Sequence, residues 1–428
     1  MTSILSISRH TLDLPPSCIA FCPNKPAYFV VGTYYLHLNE HQDGPETSVA
    51  DDEDERNSAD VHVKPQKRSG ALDLYSLQGD NVTHVAKEPT PEHSILDIQW
   101  SPHDAGSEDG DDILAVATST GSLDFYHLQE TTQGSRRLVR TCSEQVCEPS
   151  TLALSVAWHP TNPHVIGTTL SDGMVVLCEA TQGALWTSDC EVKVTTVYQH
   201  SLEAWWLAFT PFPNNDELSI YSGGDDMLLQ RSSSAGNTAL AFDPVWQDRR
   251  IHEAGVTYIL PLSWDLILTG SYDDNIRLIS APATGRRQVL AEANLGGGVW
   301  RLKVVSQTAG AEKTSRGVSS VLSDTVASSS STRNSMIILA SCMHAGSRMV
   351  RLSRSADDED GDSSSSSSSS SSSKWSFEVL GMFEEHESMN YGSDVQPGGV
   401  SNVKTIVSTS FYDKLLCVWR FDVGDGQR

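Results

Sequence analysis

The stretch TGSYDDNIRLIS, residues 269–280, carries the fold in miniature. It begins with small residues, turns at two aspartates, and leaves with apolar Ile276 and Leu278 on either side of Arg277. Short polar side chains tolerate positive φ, so the reading is two β-strands joined by a tight hairpin. The pattern recurs in ATSTGSLDFYHL (117–128), TTLSDGMVVLCE (168–179), SGGDDMLLQRSS (222–233) and STSFYDKLLCVWRF (408–421). FVVGTYYLHL (29–38) and ASCMHAGSRMVRLS (340–353) are weaker copies. Ahead of each lies a further strand: SCIAFCP, ILDIQWSP, LSVAWHP, EAWWLAFTP, GVTYILP, GGVWRLKVV and NYGSDVQ. Several of these end in proline, which stops a strand.

Seven units at a period of roughly 50 residues match a radial array of four-stranded sheets. One such sheet cannot bury both faces; seven packed in a ring can. The predicted fold is therefore all-β: a single seven-bladed WD40-type β-propeller over residues 1–428. The opening SILSISRH (3–10) is expected to supply the outer strand that closes the ring onto the last blade. Three segments lack core-forming residues and are expected to be disordered insertions on blades 1 and 6. They are the polar, acidic 39–69, the Ser/Thr-rich 306–335, and 354–374, which joins an acid run to polyserine.

The net charge of −25, from 55 acids against 30 bases, excludes a nucleic-acid binder, which needs a basic patch, and permits a cationic partner. No apolar run is long enough to span a membrane, and the N-terminus has no basic start followed by an apolar stretch, so no secretory signal is expected. The eight cysteines show no C-x-x-C pair and read as reduced, mostly buried thiols of a cytoplasmic protein. No metal site, nucleotide fingerprint or other cofactor is expected, and a monomer is.

WD40 repeats, which these units resemble in degenerate form, lock each blade with a loop His, a turn Asp, a Ser or Thr and a late Trp. Here Trp419 is the one late tryptophan. The predicted partners are His200 with Asp225, His252 with Asp273, and His386 with Asp413 and Trp419. His386 is thereby expected to be structural rather than catalytic.

HSLEAWWLAF (200–209), YSGGDDMLL (221–229), TGSYDDNIRL (269–278), GGGVWRLK (296–303), SCMHAG (341–346), HESMNYGSD (386–394) and TSFYDKLLCVW (409–419) occur in this order. Together they resemble the diphthine methylesterase family, also called diphthine methyltransferase, of diphthamide biosynthesis. The likeness covers blades 4 to 7 well and blades 1 to 3 loosely. It implies hydrolysis of a methyl ester on a modified histidine of translation elongation factor 2, giving diphthine and methanol.

Ester hydrolysis needs an attacking oxygen, a base and donors for the oxyanion. No G-x-S-x-G elbow is present. Residues that begin the inner strands are candidates: Glu203, Trp205, Trp300, Arg301 and Tyr391 for substrate binding, and Ser388, Asp394 and the turn residue His344 for catalysis. Aromatic faces suit the trimethylammonium group of such a substrate. Packing between blades accounts for Trp205 and Trp300 equally well, a cap on a neighbouring blade for Asp394, an interblade ion pair for Arg301 and a turn hydroxyl for Ser388. A non-catalytic adaptor and a methyl-cation reader are the other function classes. Convergence of Trp205, Trp300, Tyr391 and an acid or His344 on one pocket would separate the adaptor from the other two.

Overall fold

The computed structural model describes residues 2–37, 66–102, 112–210, 217–235, 241–307, 335–355, 374–398 and 401–424. The predicted insertions 39–69, 306–335 and 354–374 fall almost wholly outside the described residues. Their margins are strand: Arg68–Gln78, Arg301–Gln307, Ser335–Ser341 and Ser347–Arg354 run into them.

Strands build seven sheets, the blades of a β-propeller. The innermost strands of blades 1 to 7 are Pro16–Phe21, Ile95–Trp100, Ala153–Trp158, Ala204–Phe209, Val256–Pro261, Arg301–Gln307 and Gly392–Val395. In blades 2 to 7 the repeated pattern supplies the second and third strands; in blade 1, FVVGTYYLHL supplies the second, and the third is Arg68–Gln78. The N-terminal segment closes the ring and divides in doing so. Thr2–Ile4 lies parallel to the outer strand of blade 6, and Ser6–Thr11 pairs antiparallel with Leu415–Asp422 of blade 7.

The core is distributed rather than central. Seven apolar clusters lie one between each adjacent pair of blades. Cys18, Leu72 and Ile95 join blades 1 and 2; Phe383, Trp419 and Ile406 join blades 6 and 7. Alternation along each strand sends side chains to both faces, so every sheet feeds two of these cores. All eight cysteines are free.

Three blades carry the buried histidine lock. His386 Nε2 lies 2.8 Å from Ser408 Oγ, and Trp419 Nε1 donates to the same oxygen at 2.9 Å. His252 Nε2 lies 2.8 Å from Thr269 Oγ1, and His200 Nε2 lies 2.9 Å from Ser222 Oγ. The carboxylates differ from expectation. Asp413 and Asp273 accept not from the imidazole but from the backbone N–H after it, Glu387 at 3.0 Å and Glu253 at 2.9 Å. In blade 4 the partner is Asp226, 3.0 Å from His200 Nδ1, and not Asp225. Spacing decides this: Ser222 to Asp226 matches Thr269 to Asp273.

Burial holds the His252 and His386 imidazoles far below their usual range, at about 3 and about 4. Unfolded, each titrates near ~6.5. Both therefore fold neutral. Their stabilisation is full above about pH 6.5 and is lost as pH falls toward the folded values. Each pH unit in that window costs about 1.4 kcal/mol per histidine. Thermal melts from pH 7 to pH 4.5 should show a falling melting temperature, with a shallower slope in His386→Gln. An unchanged slope in that variant would show that His386 does not titrate on unfolding.

Candidate functional site at the mouth of the ring

Each blade is antiparallel, so the loops leading into the innermost strands and the hairpins between second and third strands share one end of the ring. That end is the mouth. In blades 1 to 5 the inner strand slips register at its entry, leaving one extra residue: Ser17, Leu96, Leu154, Trp205 and Thr257. Such a bulge re-aims a side chain. Ser17 and Thr257 use it to bond the next blade, at Ile95 O and Val299 O. In blade 4 the extra residue is Trp205, which turns to the mouth, while Trp206 is buried and donates to Ile259 O at 3.0 Å.

Four half-buried rings form a continuous wall there. Trp205 contacts Tyr272 and Trp300 with centroids 5.9 and 5.5 Å apart, Tyr272 and Trp300 are 5.9 Å apart, and Trp300 and Tyr391 are 5.4 Å apart. Phe411 extends it at 5.6 Å from Tyr391, and Tyr34 of blade 1 lies 6.3 Å beyond. Two glycines give Tyr272 its seat. A Cβ on Gly298 would stand 3.4 Å from its ring, and one on Gly255 would stand 3.0 Å from it and 2.7 Å from Asp225 Oδ1.

Charge at the mouth is mixed. Asp225 accepts from Trp205 Nε1 at 3.2 Å. Burial pushes the Tyr272 hydroxyl up, helped by Tyr391, Asp225 and Glu203 and opposed by Arg301. The Arg301 guanidinium lies 4.6 Å from both the Trp206 and Trp300 rings and 3.8 Å from Asp97. Beneath the wall a central cavity of about 310 Å³ runs between the inner strands. Arg301 and Tyr391 line it as well as the wall.

The structure thus brings Trp205, Trp300, Tyr391, Arg301 and Glu203 together and adds Tyr272 and Asp225. It does not unite the three residues expected to be catalytic. His344 is exposed on the blade 6 hairpin. Ser388 Oγ meets Ser410 Oγ at 2.8 Å and Asp413 Oδ1 at 3.0 Å and accepts from Tyr412 N at 2.8 Å, so it braces a turn. Asp394 is buried, accepts from Phe21 N of blade 1 at 2.8 Å and pairs with Lys303. No hydrogen bond joins any two of the three among the described residues. Asn390 was not foreseen. Fully buried, it donates to Gly392 O and Thr409 O and accepts from Ser347 and Ser393, tying blade 6 to blade 7. Its sole sequence signal is a polar residue where a strand enters the core. The described residues hold no cluster of metal-ligating side chains.

No known protein-family profile matches the chain. It is 29% identical over 356 residues to the diphthine methyltransferase of Schizosaccharomyces pombe, covering 82% of this chain and 86% of that protein. It is 28% identical to the human diphthine methyltransferase over 71% of this chain and 64% of that protein, so it spans less than two thirds of the human relative. Among solved structures, the WD40 propeller domain of Doa1 superposes with a TM-score of 0.53 at 11% identity, covering 98% of this chain and 97% of that one. That likeness is one of fold.

Neighbours within HESMNYGSD should part in mutagenesis. Asn390→Ala leaves buried partners unsatisfied, at about 1–3 kcal/mol, and should lower the melting temperature. Tyr391→Ala, at the half-buried mouth, should melt close to the parent. Comparable melting losses in both would place Tyr391 in the frame rather than in the site.

Proposed function

The chain belongs to the diphthine methyltransferase family, and from that premise we propose that it is a carboxylic-ester hydrolase of diphthamide biosynthesis, removing the methyl ester of the diphthine intermediate on translation elongation factor 2. The observation that carries this reading is the wall of Trp205, Tyr272, Trp300 and Tyr391 with a carboxylate at its edge. A quaternary ammonium ion has no N–H to donate. It is held by π faces and nearby negative charge, and the diphthine side chain carries such a group beside its ester.

Chemistry follows from what surrounds the wall. The imidazole–hydroxyl pairs of blades 4, 5 and 7 are buried in their blades, and among the described residues Ser388 has no imidazole partner. Direct attack by water is therefore favoured over a serine acyl-enzyme. Glu203, half-buried at the entry of the blade 4 inner strand, takes the proton of that water. Arg301 donates to the carbonyl oxygen as it becomes an oxyanion. The carbon–methoxy bond then breaks, methanol leaves with a proton, and a carboxylate remains.

Incubation of the purified chain with methyl-esterified elongation factor 2 should release methanol and remove the methyl mass. Glu203→Gln should lower turnover at least roughly 100-fold, in the range of a lost general base. Trp300→Ala should raise KM about tenfold, close to a desolvated cation–π contact. His344→Ala should stay near the parent rate. A methyl group gained from an added sulfonium donor, with no methanol released, would replace hydrolysis with transfer; an inert chain would leave a binding module.

A further inference from the structure

We propose that Asp225 is the counter-ion of the mouth, a specificity-determining carboxylate that makes it select a permethylated ammonium over an uncharged group of the same shape. The proposal rests on reading the mouth as an onium site and not on hydrolysis.

Register sets Asp225 apart from its neighbour. Asp226 does the work of the blade: it accepts from His200 Nδ1 and Ser201 N, both at 3.0 Å, and from Leu228 N at 3.1 Å, and it is buried. With that carboxylate in the lock, the residue before it is free to face the mouth. The equivalent residue of blade 5, just ahead of Asp273, is Tyr272 of the wall. Asp225 is fixed where it stands. Its N–H donates to Glu203 O at 2.8 Å, and its Oδ1 accepts from the Trp205 indole. Gly255 lets it close on Tyr272.

Its charge is not cancelled. No described lysine or arginine pairs with Asp225. Arg249 pairs with Asp226, Arg277 with Asp273 and Glu292, and Arg301 faces Asp97 from between two tryptophans. Among the described residues, its Oδ2 takes no hydrogen bond. A half-buried carboxylate left unneutralised beside π faces favours a cation that brings its own apolar surface. Trimethylated nitrogen fits, since it loses little hydration on entering the wall and feels the carboxylate through a low dielectric. A lysine ammonium, strongly hydrated, would find few acceptors there.

The test uses two probes of one shape, choline and its neutral isostere 3,3-dimethylbutan-1-ol, titrated onto the full chain with tryptophan fluorescence as readout. The parent should bind choline at least roughly tenfold more tightly, as expected for one partly desolvated charge pair, and salt should weaken that binding. Asp225→Asn should lower that ratio severalfold, to what the π faces alone supply, and weaken the salt dependence without moving the melting temperature. Asp226→Asn should instead lower the melting temperature and, where folded, keep the preference. A parent without preference, or an Asp225→Asn variant that retains it undiminished, overturns the proposal even if the ester is turned over. A parent that discriminates but releases no methanol supports it and removes the hydrolase reading alone.

Discussion

A loop imidazole held against a hydroxyl on the second strand of its own blade, at 2.8 to 2.9 Å in three blades, is the contact on which the mouth depends. It is buried, so neither partner can exchange it for water. The turn aspartate completes it by taking the N–H that follows the histidine, in blades 4, 5 and 7 alike. Loop and hairpin are thus pinned together from below. Whatever precedes the locking aspartate, or follows the loop into the inner strand, is presented at the mouth with little freedom. Asp225, Tyr272, Trp205 and Tyr391 all owe their positions to this frame.

Such pinning matters because the wall consists of contacts between residues far apart in the chain. Trp205 and Tyr391 come from blades 4 and 7, and Trp300 bridges them from the entry of blade 6. Each ring pair contributes on the order of 1 kcal/mol beyond its buried area, too little to order loops unaided. Rigid blades supply the order, so the rings reach their places without a large entropy cost at binding. The acids are part of the same economy of position: one carboxylate locks, and the adjacent one is left with charge to use.

Repetition made the fold legible. Hairpins marked by Asp or Gly and alternating third strands identify the blades, and the late Trp419 identifies the lock of blade 7. Side-chain direction was less legible. Adjacent Asp225 and Asp226 are chemically identical in sequence, and only the count from Ser222 tells which one locks. The bulge at Trp205 shifts the period of two by one residue, so alternation alone cannot say which of Trp205 and Trp206 faces the mouth. His344, Ser388 and Asp394 looked like catalytic chemistry because their residue types suit it. Their places, on an exposed hairpin, bracing a turn and capping the next blade, follow from contacts between distant segments. Asn390 escaped notice for the opposite reason, since a lone buried amide leaves no pattern. The N-terminal segment was legible as a closing strand, yet its division between blades 6 and 7 depends on how two outer edges meet.

The floor of the mouth follows from the same ring geometry. Polar groups line the central cavity beside apolar ones, and they meet one another across blades. Asp97 bonds Val156 N of blade 3 at 3.1 Å and faces Arg301 of blade 6, and Asp394 joins blades 1 and 6. Burial pushes the Asp97 carboxyl up while Arg301 opposes it. Arg301 is therefore held by a carboxylate below and by two indole faces at its sides. One guanidinium cannot satisfy all its donors with an acid 3.8 Å away and a single backbone oxygen, that of Trp300 at 3.0 Å. The donors that remain leave Arg301 able to bind a further acceptor at the wall above it.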